Sequence, residues 1–178
     1  TLFMVLLSAF QVLLHRFSGE TDLPVGSAIA NRNRAEVERV IGFFANNIVL
    51  RGDLSGDPTV RELIARTRDV ALKSYAHQDM PFDMLVEKLA AQRALDHSPL
   101  FQLMFVLQNL SMVSFDLPGL VMEPIELPAQ TARFDLAVDV YDLAQGLRVY
   151  FEYNTDLFEA ATITRLMGHF RSLLEGMV

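Results

Sequence analysis

After Thr1, only Ser8 and Gln11 interrupt an apolar run that fills the first fourteen residues, TLFMVLLSAFQVLL. That run constrains the fold more than any other part of the chain. It is too short to cross a bilayer, which takes ~20 apolar residues. It also has no basic flank before it and no small-residue cleavage site after it, so it makes a poor export signal. A helix that is apolar on every side belongs in the interior of a protein. The run therefore predicts a core helix ending within 15–19, with Gly19 near its C-cap. If the rest of the chain cannot cover this helix, a partner must.

The 178 residues suit one folded unit, and 51% of them are hydrophobic, enough for a sizeable core. The formal charge of −7 and the scatter of the basic residues argue against nucleic acid, whose phosphates need a concentrated Lys/Arg face. Even the densest group, Arg32, Arg34 and Arg39, is interrupted by Glu36 and Glu38. The lack of cysteine removes disulfides, thiolate zinc sites and a Cys nucleophile together, and it fits a reducing, cytoplasmic compartment. Because the chain starts at Thr1 rather than Met, it reads as an excised or processed piece.

Further along, residues 24–31 predict a short strand, 31–40 a loop or short helix, and 41–51 a buried strand with Asn46 and Asn47 in its middle. Buried amides need partners, so that pair is either cross-bracing or a polar spot in a cavity wall. Thr59 and Glu62 form a capping box for a helix whose Val60, Leu63, Ile64, Val70, Ala71 and Tyr75 share a face. Pro81 opens a second helix, with Phe82, Leu85, Val86 and Leu89 inward. The tight link between the two helices holds His77, Gln78 and Asp79. Residues 100–109 are apolar on both faces, as a strand covered above and below would be. The stretch 110–130 is irregular and proline-rich, with room for a short strand at 120–123. Residues 134–141 and 147–153 alternate cleanly and predict a hairpin. A final helix starts near Glu159, with Ile163, Leu166, Met167, Phe170, Leu173 and Leu174 on one face. The order is that of a single α/β unit, 1–178, with a mixed sheet covered by helices.

No nucleophile elbow, phosphate-binding glycine loop or dinucleotide motif occurs. His15, His77, His97 and His169 are isolated, and none has a second ligand at metal spacing, so no metal site is expected. His77 stands two residues from Asp79, a carboxylate able to hold one tautomer of an imidazole base. The plainer reading is that Asp79 caps the helix at Pro81 while His77 and Gln78 brace the turn. On residue types alone, the chain has no self-contained active site.

Residues 41–51, IGFFANNIVLR, resemble the I-G-x-F-x-N-T-x-x-x-R signature of non-ribosomal peptide synthetase condensation domains. HQDMPFD at 77–83 resembles their H/N-Q-D-x-P-F-E/D signature, and Ser98-Pro99-Leu100-Phe101 with Met104-Phe105 resembles S-x-x-P-L-F-Q-x-M-F. Residues 26–33, 134–136, 152–158 and 168–170 are also similar to the family. Two departures stand out. Asn47 replaces the usual Thr, and the family's H-H-x-x-x-D-G motif is absent, so the chain resembles the C-terminal subdomain alone.

The resemblance implies a chloramphenicol acetyltransferase-like half-domain. In that family two α/β subdomains form a V around a tunnel. Carrier-bound donor and acceptor enter it on phosphopantetheine arms, and the acceptor amine attacks the donor thioester. This chain would form one wall, with no catalytic residue and no covalently bound cofactor of its own. Asn46, His77 and Gln78 would orient the substrate, since a tunnel needs a few polar groups in an apolar lining. Arg51, Asp79, Pro81, Phe82, Ser98, Pro99 and Phe101 would be structural members of the motifs. Implied partners are the N-terminal condensation subdomain, upstream and downstream peptidyl carrier domains and an adjoining adenylation domain, with no nucleic acid and no membrane. The stretch 110–130 would cross to the other subdomain. Three alternatives stay open: a free-standing docking module on the same half-fold, the back half of an epimerisation or cyclisation domain, or an acyltransferase whose base is His77.

Overall fold

The computed structural model describes residues 1–89, 99–108, 119–120, 125 and 131–177. The apolar opening forms α1 (Leu2–Ser18), which ends at Gly19 with φ 76°, a left-handed conformation that glycine adopts without a Cβ clash. Met4, Leu6, Leu7, Ala9, Phe10 and Leu13 are all buried, so the chain covers most of this helix by itself, leaving Leu2 and Phe17 exposed at its ends. Its two polar interruptions are paired as well. Ser8 Oγ lies 2.7 Å from the Met4 carbonyl and 2.9 Å from Thr67 Oγ1, and Thr67 Oγ1 donates to Gln11 Oε1 at 3.2 Å. Satisfied buried polar groups of this kind fix the register of packed elements.

β1 (Asp22–Ile29), the single turn α2 (Ala35–Glu38) and β2 (Asn46–Asp53) follow. The strand read at 41–51 thus begins only at Asn46. Ile41 and Phe43 are 100% and 92% exposed, because Arg32 holds their segment as a loop. Its guanidinium donates to the carbonyls of Val37 (2.6 Å), Val40 (2.8 Å) and Gly42 (3.0 Å) and lies 4.3 Å from the centre of the Phe44 ring.

α3 (Val60–Ala76) starts at the predicted capping box. Glu62 accepts from the Thr59 hydroxyl at 2.7 Å and from its backbone N–H at 2.8 Å, and these bonds hold its carboxyl below the usual range. α4 (Phe82–Leu89), β3 (Leu103–Gln108), β4 (Leu136–Leu143), β5 (Gly146–Tyr153) and α5 (Ala160–Met177) complete the order. Val60, Leu89 and Met167, all expected inward, are instead 41%, 66% and 43% exposed.

The five strands make one mixed sheet in the order β2-β1-β3-β4-β5. β1, β3 and β4 run parallel, and β2 and β5 are antiparallel edges. One face is covered by α1, α3 and α5, whose Phe10, Ala71 and Phe170 join Val25, Leu50, Phe105, Val138 and Val140 in a single core. The other face has a smaller apolar cluster of Phe101, Met104 and Ala137, with Phe82 of α4 and Val49 against it. The Phe101 ring approaches Gly26 so closely that a Cβ there would meet it at 2.1 Å.

Candidate functional site

Because β1, β3 and β4 are parallel, their carboxyl ends share one edge of the sheet. In open α/β sheets ligands gather at that edge, where the loops diverge. β2 begins there with Asn46, which pairs with Ile29 at the end of β1. The α3–α4 link, residues 77–81, lies against Asn46. The Asn46 amide grips the link backbone at three points: Nδ2 donates to the carbonyls of Gln78 (2.9 Å) and Met80 (2.7 Å), and Oδ1 accepts from the Phe82 N–H at 3.1 Å. Both donor hydrogens and one acceptor site are thereby used. Of the two roles open to Asn46, cross-bracing is the one its geometry fills.

Asp79 was expected to cap α4 or to orient His77, but its Oδ1 accepts from Asn33 Nδ2 at 3.1 Å, and Asn46 caps α4 instead. Pro81 stands just before α4, its carbonyl accepting from Met84 and Leu85. His77 ends α3 and is exposed, and Gln78 is half-buried. Among the described residues neither side chain has a hydrogen-bonding partner, so both are open to solvent on a backbone that Asn46 holds. Asn47 is half-buried and lies on the opposite face of β2 from Asn46.

Arg51 is remote from this edge. It forms an exposed two-point ion pair with Asp22, Nε donating to Oδ1 at 2.6 Å and Nη2 to Oδ2, and that hydrogen bonding holds the Asp22 carboxyl below its ordinary range. On the second face of the sheet, the Phe101 ring packs against both Phe82 of α4 and Phe134, with ring centres 5.5 and 5.6 Å away. Pro99 is half-buried, whereas Ser98, His97 and most of 110–130 lie outside the described residues. His15 Nδ1 lies 2.8 Å from the Glu20 carbonyl, and the exposed His169 ring packs 5.8 Å from Phe17. Among the described residues no cluster of His, Asp or Glu is placed to hold a metal ion, and no helix is long and apolar enough to cross a membrane.

Sequence reasoning missed three residues at this edge. Arg32 staples the loop and Asn33 ties it to Asp79. Asn31 has a positive φ of 51°, and its Oδ1 is buried with no partner among the described residues. The dense Asn/Arg run at 31–34 was the available signal, since Asn tolerates left-handed backbone and both residue types bond carbonyls. On the second face, toward the same edge, Gln108 Nε2 donates to Asp139 Oδ1 at 3.1 Å and Tyr141 meets Tyr150 edge-on. Burial, then the charge of Asp139, pushes the Tyr141 phenol up.

The Condensation domain profile matches residues 1–178. The chain belongs to the condensation-domain family. It is 51% identical over 176 residues (98% of the chain) to one of the linear gramicidin synthase proteins of Brevibacillus parabrevis, and covers 2% of that protein. To chondramide synthase cmdD of Chondromyces crocatus it is 44% identical over its whole length, covering 5% of the relative. The chain therefore spans only a few per cent of the curated relatives it matches. Among solved structures, it superposes on holo-AB3403, a four-domain nonribosomal peptide synthetase, with a TM-score of 0.89 at 26% identity, over 99% of this chain and 15% of that one. The X-domain from teicoplanin biosynthesis matches with a TM-score of 0.84 at 27% identity, over 98% of this chain and 41% of that one. The expected chloramphenicol acetyltransferase-like fold, with its mixed sheet and helices, is thus the fold observed.

Proposed function

We propose that this chain forms one wall of the substrate tunnel of an amide-forming condensation domain. His77 and Gln78 are the polar groups that orient substrate, and Asn46 stands behind them. The observation that carries the reading is the His77–Gln78 pair, whose side chains lack partners among the described residues, on a gripped link at the carboxyl edge of the sheet. An amide donor and an imidazole placed in this way match the hydrogen-bonding groups of a thioester and an amine. The donor and acceptor are aminoacyl or peptidyl thioesters on phosphopantetheine arms, delivered by upstream and downstream carrier domains. The reactive histidine motif comes from an N-terminal subdomain, and an adenylation domain adjoins. The chain itself holds no catalytic residue and binds no cofactor covalently.

The test is amide formation from carrier-bound aminoacyl thioesters, measured with the 178-residue chain alone and after the first part of the fold is restored, covalently or as a separate chain. The reading predicts background rates alone and turnover on restoration. Turnover by the chain alone, abolished by His77→Ala, would replace it with an acyltransferase whose base is His77. One observation favours a second reading, a docking module stable by itself: Met4, Leu6, Leu7, Ala9, Phe10 and Leu13 of α1 are buried within the chain. That module would bind a carrier domain yet give no turnover even when the fold is completed.

A further inference from the structure

The geometry points to Asn46 as a positioning residue: it fixes the backbone of the link so that His77 and Gln78 face substrate, and it touches no substrate itself. This inference deepens the tunnel-wall reading and rests on it for the reaction, although the clamp can be tested without it.

Three features of the site carry the inference. First, all three partners of Asn46 are backbone groups, two in the link at positions 78 and 80 and one at Phe82, the first residue of α4. Second, the chemistry admits only asparagine. The site needs two N–H donors and one acceptor on a short arm. Aspartate has the length but no N–H, serine and threonine have one donor, and glutamine is a methylene too long. Third, the link is held again from the other side by Asn33 on Asp79, while the His77 and Gln78 side chains keep no partner among the described residues. His77 is exposed and Gln78 half-buried, so water can satisfy both side chains and a ligand can displace it, while the gripped backbone keeps them placed.

The isosteric change Asn46→Asp separates the two halves of the clamp. It keeps the oxygen that caps α4 at Phe82, a role aspartate fills well. It also sets a carboxylate against the carbonyls of Gln78 and Met80. Asn46→Ala removes both halves. Thr59→Ala, which breaks the capping box at the far end of α3, serves as a control for general destabilisation.

In isotope-labelled 178-residue chain, Asn46→Asp is expected to keep the slow exchange of the Phe82 amide while shifting the Gln78 and Met80 carbonyl resonances. Asn46→Ala loses the Phe82 protection as well. With the fold restored and carrier-bound aminoacyl thioesters supplied, Asn46→Asp lowers kcat by about a hundred-fold, the loss that follows from ~1 Å of misplacement. KM stays near that of the parent. Thr59→Ala lowers Tm and leaves kcat unchanged. Parent-like carbonyl resonances in Asn46→Asp overturn the clamp. Shifted resonances with an unchanged kcat overturn the positioning role, and so does a rise in KM with no fall in kcat, which would make Asn46 a binding contact. If the parent itself forms no amide after restoration, the tunnel-wall reading fails together with the positioning role, and the resonances still decide the clamp.

Discussion

The two faces of the sheet are built to different standards. On the helix-covered face, Leu7, Phe10, Val25, Leu50, Phe105, Val138 and Val140 are all 0% exposed and form one core with α1, α3 and α5. On the other face, among the described residues, apolar packing is confined to the Phe101 cluster. Beyond it the surface turns polar with Gln108, Asp139 and Tyr141, and at the carboxyl edge it meets the loop and link that hold exposed Ile41, Phe43 and His77. On the proposed function, the contrast separates stability from recognition. A dense apolar face specifies the fold, and the edge beside the thinner face is left to hydrogen bonds that order backbone while keeping side chains available.

That contrast breaks if the two faces respond alike to truncation, so the largest expected effect lies in the main core. Phe10 stacks 5.4 Å from Phe105 and meets Phe170 edge-on. Phe10→Ala is expected to destabilise by ~3–5 kcal/mol and lower Tm by about 10 °C or more in a thermal melt. Next comes the Phe101 cluster. Gly26→Ala places a methyl inside the Phe101 ring's space and should destabilise by ~1–3 kcal/mol, with Phe101→Leu in the same chain recovering part of the loss. If that pair is additive, the close approach of Gly26 and Phe101 is wrong. At the exposed loop tip, Ile41→Ser and Phe43→Ser should each stay within ~0.5 kcal/mol of the parent by denaturant titration.

The smallest effect belongs to Asp22–Arg51, which is exposed and screened by water and salt. Its sign is nevertheless fixed. Pairing with Arg51 depresses the folded pKa of Asp22, so its contribution is present above the ordinary carboxylate range and is lost as pH falls through the lowered value. Asp22→Asn should therefore differ slightly from the parent in Tm at neutral pH and converge with it in acid.

What could be read from the sequence was whatever had a local period or cap. The α1 run, the Thr59–Glu62 box, the 134–153 hairpin and the apolar stripe of α5 all depend on neighbours within a few residues. The start of β2 was misplaced because Ile41 and Phe43 are apolar without being buried, and residue type does not reveal a loop held by Arg32 from ten residues away. The site was legible as motifs but not as geometry. Asn46 and the link are 32 to 36 residues apart in sequence, and the packing of α3 across β2 brings them together. For the same reason Asp79 was assigned a cap that Asn46 supplies.

The separation of stability from recognition is tested most directly by replacing His77 and Gln78 together with alanine and measuring Tm and amide formation on one preparation with the fold restored. Neither side chain has a partner among the described residues, so the account predicts a Tm within about 1–2 °C of the parent. It predicts a rate of amide formation lower by about ten-fold or more, the worth of two hydrogen bonds to substrate. A parent-like rate, or a large fall in Tm, would contradict it.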